Sequence, residues 1–141
     1  MELYYNQFFR HGDKNMKALK DQQKFYIAKL ELPFDNWDYL KEVGINRTVY
    51  FAYQKSKEIG KELIDFDDTI WPGDVEAIVA TLREGGITEF TISCRFCDLV
   101  DRLADFEKCG CKMNGVTEVK TAWKNLDGSV QMAKALRMEI L

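Results

Sequence analysis

The sequence has little proline and no long apolar run, and each of these absences excludes a class of protein. Only 2 of the 141 residues are proline, and no low-complexity tract is present, which argues against a disordered or repetitive chain. A membrane-spanning helix needs about 18 consecutive apolar residues, and no stretch of the sequence approaches that length. The first residues also lack the basic region and apolar core of a signal peptide. We therefore expect a soluble protein in the cytoplasm, without a membrane partner.

Histidine is also scarce, and His11 is the only one. Imidazole metal clusters and cysteine–histidine pairs therefore have a single residue to draw on. The sequence has no GxxxxGK[ST] loop, and Gly85-Gly86 before an apolar stretch is typical of the end of a helix. These features predict a protein without a bound metal or cofactor.

The charge balance argues against nucleic acid as a partner. The chain carries 20 Lys+Arg and 23 Asp+Glu, a net charge of -3, which is opposite in sign to what phosphate backbones attract.

A chain of this length can bury about 68–70% of its unfolded surface, so it needs neither disulfides nor a metal to hold a core. We expect one domain over residues 1–141.

The first 60 residues have helical periodicity and the rest alternates between strand and helix patterns. Apolar residues recur every three or four positions from Asp13 to Pro33, a short helix is predicted to end at Gly44, and a third runs from Asn46 to Gly60. We therefore expect a helical N-terminal layer over residues 1–60 and a mixed sheet over residues 61–141.

The pattern after residue 60 predicts the order β-α-β-α-β-β. A buried strand is expected at Glu62–Phe66 and a β-branched strand at Ile87–Ser93, each followed by an amphipathic helix. The second helix has Phe96, Leu99, Val100, Leu103 and Phe106 at core spacing. Asp127-Gly128 indicates the turn of a C-terminal hairpin. Right-handed crossovers make the first strands parallel, so the fold class is α/β or α+β with a mixed sheet.

The four cysteines are Cys94, Cys97, Cys109 and Cys111. We predict free thiols, because an intracellular chain is kept reduced. Cys94 and Cys109 lie at opposite ends of the second predicted helix, which is too long for one tetrahedral zinc site to span. Cys94 and Cys97 have the position of a thioredoxin-like motif, but both prolines of the chain precede it, so the downstream cis-proline loop of such sites has no counterpart.

The segment from Asp65 to Thr69 resembles the DxDxT signature of haloacid-dehalogenase-type phosphatases. There Asp65 would be the nucleophile and Asp67 the general acid/base beside Mg²⁺, and Ser93 would match the second motif of that family. Too little chain follows Asp65 for the remaining motifs. The competing interpretation is that these carboxylates are turn and N-cap residues before the next helix. We keep the phosphatase as the alternative function.

Surplus aromatic and acidic residues indicate a binding surface. The chain has 9 Phe, 6 Tyr and 3 Trp, more than one small core needs, and exposed aromatics anchor protein interfaces. The competing interpretation, which is the more common one for such residues, is that they dock the N-terminal helix onto the sheet. The candidate binding residues are Tyr4, Tyr5, Phe8, Phe9, Trp37 and Trp71, with the carboxylates Asp67, Asp68 and Asp74.

The chain from about Tyr50 onward resembles a family of small uncharacterised proteins encoded on plasmids and conjugative elements of Gram-positive gut bacteria. The segments that carry the resemblance are Ala52–Ser56, Glu62–Phe66, Ile70–Trp71, Gly86–Ser93, Phe106–Met113 and Gly115–Val119. In that family Asn is frequent at the position of Asp67 and Ser at those of Cys94 and Cys97, which argues against phosphatase and redox chemistry. The resemblance implies an accessory role on a mobile element and supplies no catalytic residue.

Together these features predict a non-enzymatic accessory protein of a mobile genetic element that acts by protein–protein binding. One form of this hypothesis is inhibition of a host defence nuclease, in the manner of anti-CRISPR proteins. The acidic stretch from Glu62 to Glu76 would then compete with DNA for a basic channel. The partner is expected to be a protein, and a homo-oligomer is left open.

Overall fold

The computed structural model describes residues 46–95 and 98–141, where helices and strands alternate as the sequence predicts. The elements in chain order are α1 (Arg47–Ile59), β1 (Asp65–Phe66), α2 (Val75–Glu84), β2 (Glu89–Ile92), α3 (Leu99–Lys108), β3 (Cys111–Lys124) and β4 (Val130–Ile140). The helices predicted between Asp13 and Gly44 lie outside the described residues. None of the three described helices is both long and apolar enough to cross a membrane.

The four described strands form one mixed sheet in the order β1-β2-β4-β3. β1 and β2 are parallel, with Asp65 opposite Thr91 and Phe66 opposite Ile92. β4 pairs antiparallel with both β2 and β3. The predicted parallel first strands and C-terminal hairpin are therefore confirmed, and the fold is α+β.

Local sequence signals set the ends of α1. The Asn46 side chain accepts a hydrogen bond from the Val49 N–H at 3.1 Å, and Gly60 ends the helix in the left-handed region at φ 86°. Both residues were the predicted caps. Between them, Val49, Tyr50 and Tyr53 are buried and form the inward face of the helix.

The core lies between the sheet and its helices and is centred on three phenylalanines. The Phe90 ring on β2 lies 5.5 Å from the Phe66 ring on β1 and 5.5 Å from the Phe106 ring on α3, measured between centroids. The stripe predicted on α2 is fully buried and consists of Val75, Ile78, Val79 and Leu82. Aromatic contacts thus join the two parallel strands to the last helix.

One prediction about core residues is wrong. Val100 is 80% exposed, because α3 turns Arg102 and Phe106 inward, and a residue two positions before Arg102 faces the opposite side of a helix. Val130 and Met132 are also exposed, although strand alternation places them on the same face of β4 as the buried Met138. β2 pairs with β4 only from Leu136 to Glu139, so the outer part of the hairpin has no core beneath it.

Gly110, which links α3 to β3, is required by its backbone conformation. Its φ of 87° lies in the left-handed region, and a Cβ added there would collide with the Arg83 guanidinium, whose Nη2 donates to the Leu141 carbonyl at 3.5 Å. We expect Gly110→Ala to lower the free energy of unfolding by about 1–2 kcal/mol. Urea denaturation followed by circular dichroism measures this loss.

Gly73→Ala is the matched control, because Gly73 has no left-handed φ and no atom within 4 Å of an added Cβ. This variant should unfold at the same urea concentration as the wild type. Equal losses in the two variants would contradict the assigned role of Gly110.

Candidate functional site

Polar residues gather where the two parallel strands end. Asp67 and Asp68 follow β1, and Ser93 follows β2. In open sheets, the carboxyl ends of parallel strands are the usual place for ligands. The structure thus brings together the acidic motif and the serine that the sequence analysis singled out.

Asp65 is buried at the centre of this region. Its carboxylate accepts hydrogen bonds from Thr91 Oγ1 at 2.6 Å, Ser93 Oγ at 2.6 Å and Lys61 Nζ at 2.7 Å. The Lys61 and Asp65 side chains are only 3% and 0% exposed. The Asp65 N–H also donates to Ser56 Oγ on α1 at 3.0 Å. Asp65 therefore ties α1, β1 and β2 together.

The Lys61 ammonium lies between the two carboxylates of the predicted phosphatase motif. Its Nζ is 2.7 Å from Asp65 Oδ2 and 3.7 Å from Asp67 Oδ2. That is the position at which the phosphatase hypothesis places Mg²⁺. Both oxygens of the proposed nucleophile already accept hydrogen bonds, so the geometry gives Asp65 a structural role. Among the described residues, no group of three or more His, Cys, Asp or Glu side chains is arranged to hold a metal ion.

Asp67 forms a second ion pair at the surface. Its Oδ2 lies 2.9 Å from Lys55 Nζ on α1, and Asp68 Oδ1 lies 4.0 Å from the same nitrogen. The hydrogen bond to Asp67 raises the pKa of Lys55 above its ordinary value. Lys55 therefore stays charged and holds the loop after β1 against α1.

A cavity of about 390 Å³, here called the aromatic cavity, lies between the first half of α1 and the loop that connects β1 to α2. Trp71 is 65% exposed and Phe51 is 45% exposed. The residues that line this cavity are Arg47, Thr48, Phe51, Ala52, Phe66, Asp67, Asp68, Thr69, Trp71 and Asp74. Four of the predicted binding residues thus meet in one place.

The remaining predicted binding residues, namely Tyr4, Tyr5, Phe8, Phe9 and Trp37, lie outside the described residues. Phe51 lines the aromatic cavity but is not among the predicted binding residues. The signal was present, because Phe51 falls between Tyr50 and Tyr53 and lies off the buried stripe of α1 that they define. An aromatic residue off the core face of an amphipathic helix is a candidate for surface recognition.

A second cavity of about 330 Å³, here called the hairpin cavity, lies between the second half of α1, the ends of β1 and β2, and the outer hairpin. Its lining residues are Lys55, Ile59, Lys61, Asp67, Ser93, Arg95, Val119, Lys120, Thr121, Ala122, Trp123, Gln131, Met132 and Ala133. Asp67 lines both cavities. Sequence reasoning did not find the hairpin cavity, because its walls are distant in the chain.

The three cysteines among the described residues are free thiols. Cys94 and Cys111 are buried and Cys109 is half-buried, while Cys97 lies outside the described residues. Cys94 precedes α3 and Cys109 follows it, as predicted. Burial raises the pKa of the Cys111 thiol to about 11.

These features define a small α+β protein with a buried ion pair at the ends of its parallel strands and a cavity on each side of Asp67. A family model described as "Domain of unknown function (DUF7698)" matches residues 48–140. The chain belongs to this family, which agrees with the predicted membership of an uncharacterised family. Comparisons with curated proteins and with solved structures give no match.

The structural role of Asp65 is testable through stability. We expect Asp65→Asn to lower the free energy of unfolding by about 3–5 kcal/mol, because it leaves the buried Lys61 ammonium with only the more distant Asp67 carboxylate, at 3.7 Å, as a counter-charge. Lys61→Met should have a similar effect from the opposite side. Chemical denaturation of both variants measures the loss.

Glu118→Gln is the control for this pair. Glu118 and Lys134 form an ion pair of 2.8 Å, but their side chains are 53% and 74% exposed, so its removal should change stability little. If Asp65→Asn were as stable as Glu118→Gln, the buried pair would not hold the fold together.

The cysteine predictions can be checked with a thiol reagent. Unreduced protein should show four thiols when denatured, whereas in the native state at pH 8 Cys111 should react much more slowly than Cys109.

Because the folded pKa of Cys111 is raised from 9.0 to about 11, its contribution to stability is complete below pH 9 and is lost between pH 9 and 11. Cys111→Ala should therefore flatten the fall in stability over that range. Fewer than four thiols in denatured protein would contradict the assignment.

Proposed function

We propose that this protein is a non-enzymatic binding protein whose aromatic cavity receives a basic side chain of a partner protein. The observation that carries this proposal is that two exposed aromatic residues, Trp71 and Phe51, share one cavity with three carboxylates. Aromatic faces attract the cations of lysine and arginine, and carboxylates form charge-assisted hydrogen bonds with them.

The aromatic residues supply the apolar part of the contact. Trp71 exposes more than half of its surface in the described structure, although it follows the buried Ile70 directly. Residues that dominate binding energy at interfaces are enriched in tryptophan and lie in small pockets that exclude water when occupied. A volume of about 390 Å³ is at the lower end of the range for ligand cavities and suits a single side chain.

The carboxylates supply the charge. The Asp68 side chain is 82% exposed, and its contact with Lys55 is 4.0 Å long. Asp74 occupies the N-cap position of α2 but its side chain makes no capping hydrogen bond. Within residues 46–95 and 98–141, neither carboxylate forms a short ion pair, whereas Asp67 is held by Lys55 at 2.9 Å.

The proposal of a non-enzymatic role is supported by the state of Asp65. A nucleophilic carboxylate needs an accessible oxygen and a nearby metal ion. The Asp65 side chain is 0% exposed, and the Lys61 ammonium lies between it and Asp67. The alternative, a Mg²⁺-dependent phosphatase that uses Asp65 and Asp67, requires Lys61 to move away first.

The biological setting is part of the proposal. The resemblance to proteins of plasmids and conjugative elements suggests an accessory protein of a mobile element, and inhibition of a host defence nuclease is one role of that kind. A nuclease presents basic side chains in its DNA channel, which suits a carboxylate-lined cavity in a protein of net charge -3. Within the stretch from Glu62 to Glu76, Asp65 is buried, so the exposed Glu62, Asp68 and Glu76 would carry the acidity.

The proposal predicts binding of basic peptides by the aromatic cavity. We expect a blocked arginine-containing peptide to shift the NMR signal of the Trp71 indole, and a peptide with citrulline at the same position to leave it unchanged. For a natural partner captured from host lysate, Trp71→Ala should cost about 2 kcal/mol or more, roughly thirty-fold in Kd. Asp68→Asn should weaken binding mainly at low salt.

Trp123→Ala is the matched control, because Trp123 is a similarly exposed tryptophan outside the aromatic cavity. This variant should bind the peptide and the partner as the wild type does. Failure to bind basic peptides, together with hydrolysis of a phosphate ester by purified protein and Mg²⁺, would reject the proposal in favour of the phosphatase.

A further inference from the structure

The hairpin cavity differs in charge from the rest of this acidic protein. Its lining contains four cations, Lys55, Lys61, Arg95 and Lys120, against the single carboxylate of Asp67. The whole chain, by contrast, has a net charge of -3. A concave site lined by one sign of charge concentrates counter-ions of the opposite sign, so this cavity favours an anionic ligand.

Two of these cations are available to a ligand. Lys55 and Lys61 are held by the carboxylates of Asp67 and Asp65. Arg95 and Lys120 form no ion pair with any residue in the described ranges 46–95 and 98–141. Arg95 follows β2 and Lys120 lies on β3, so the two lining cations belong to different elements. Arginine and lysine side chains are the usual ligands of a phosphate group in proteins.

An aromatic platform lies in the same cavity. Trp123 lines it and is 73% exposed. The strand register shifts between Lys120 and Lys124, and Thr121 fixes the chain there, because its Oγ1 donates to the Gln131 carbonyl at 2.7 Å and accepts from the Trp123 N–H at 3.2 Å. The backbone that carries the Trp123 ring is therefore fixed before any ligand binds.

We propose that the hairpin cavity is a binding site for a nucleoside phosphate, with the phosphate on Arg95 and Lys120 and the base stacked on Trp123. Stacking on tryptophan accepts any planar base, and two side-chain cations replace the glycine-rich loop that the sequence lacks. The site lies at the carboxyl ends of the parallel strands and has a volume of about 330 Å³, within the range of small-molecule sites. This inference does not depend on the function proposed for the aromatic cavity.

Calorimetric titration of the full chain with adenosine monophosphate, adenosine and inorganic phosphate tests the proposal. We expect the monophosphate to bind more tightly than either fragment, because only it engages the cations and the ring together. Arg95→Ala and Lys120→Ala should each weaken its binding by about tenfold. Trp123→Ala should weaken binding by about tenfold or more. Raising the salt concentration should weaken the wild type more than Arg95→Ala.

Lys112→Ala is the matched control, since Lys112 is a lysine of the same strand that does not line the hairpin cavity. This variant should bind the monophosphate as the wild type does. No binding of the monophosphate at millimolar concentration would overturn the proposal. So would equal affinity for inorganic phosphate, affinity that rises with the length of a single-stranded oligonucleotide, or binding that the Arg95, Lys120 and Trp123 variants leave unchanged.

Discussion

The buried ion pair between Lys61 and Asp65 is the interaction on which the described structure depends. Two opposite charges removed from water gain less from each other than they lose in hydration, unless further hydrogen bonds satisfy them. Here Thr91 and Ser93 supply those bonds to the carboxylate. β1 has only two residues, too few for its ladder bonds alone to fix its place beside β2. The side-chain network therefore sets the register in which Asp65 lies opposite Thr91.

Two ion pairs determine which charged side chains near the strand ends remain unpaired within the described structure. Lys61 neutralises Asp65 inside the protein, and Lys55 holds Asp67 at the surface, at 2.7 and 2.9 Å respectively. Among the described residues, Asp68 has only the 4.0 Å contact with Lys55, Asp74 makes no capping hydrogen bond, and Arg95 and Lys120 form no ion pair. Asp67 lies on the boundary because it lines both cavities. Because Lys61 pairs with Asp65 and Lys55 pairs with Asp67, the remaining carboxylates line one cavity and the remaining cations line the other.

Local signals in the sequence predicted the helices and strands well. They could not predict contacts between segments that are distant in the chain. Asn46 and Gly60 bound α1 because capping depends on residues within one turn. The Lys61–Asp65 pair was not foreseen, since charges four residues apart suggest a helix face and here flank the start of a strand. Four of the predicted binding residues share the aromatic cavity because they lie close in the chain, on one loop. The hairpin cavity joins residues from 55 to 133, and no periodic pattern reports such a meeting.

The length of the hairpin is the feature that core packing does not explain. β3 has 14 residues and β4 has 11, but β2 has only four to support them. Beyond that support the hairpin is a two-stranded extension, which is only marginally stable by itself. At the turn, the Asp127 carboxylate accepts hydrogen bonds from the Ser129 N–H and hydroxyl. The outer half of the hairpin buries few side chains and instead contributes Val119, Thr121 and Trp123 to the hairpin cavity. The extension therefore closes one side of a cavity against α1, and few of its residues belong to the core.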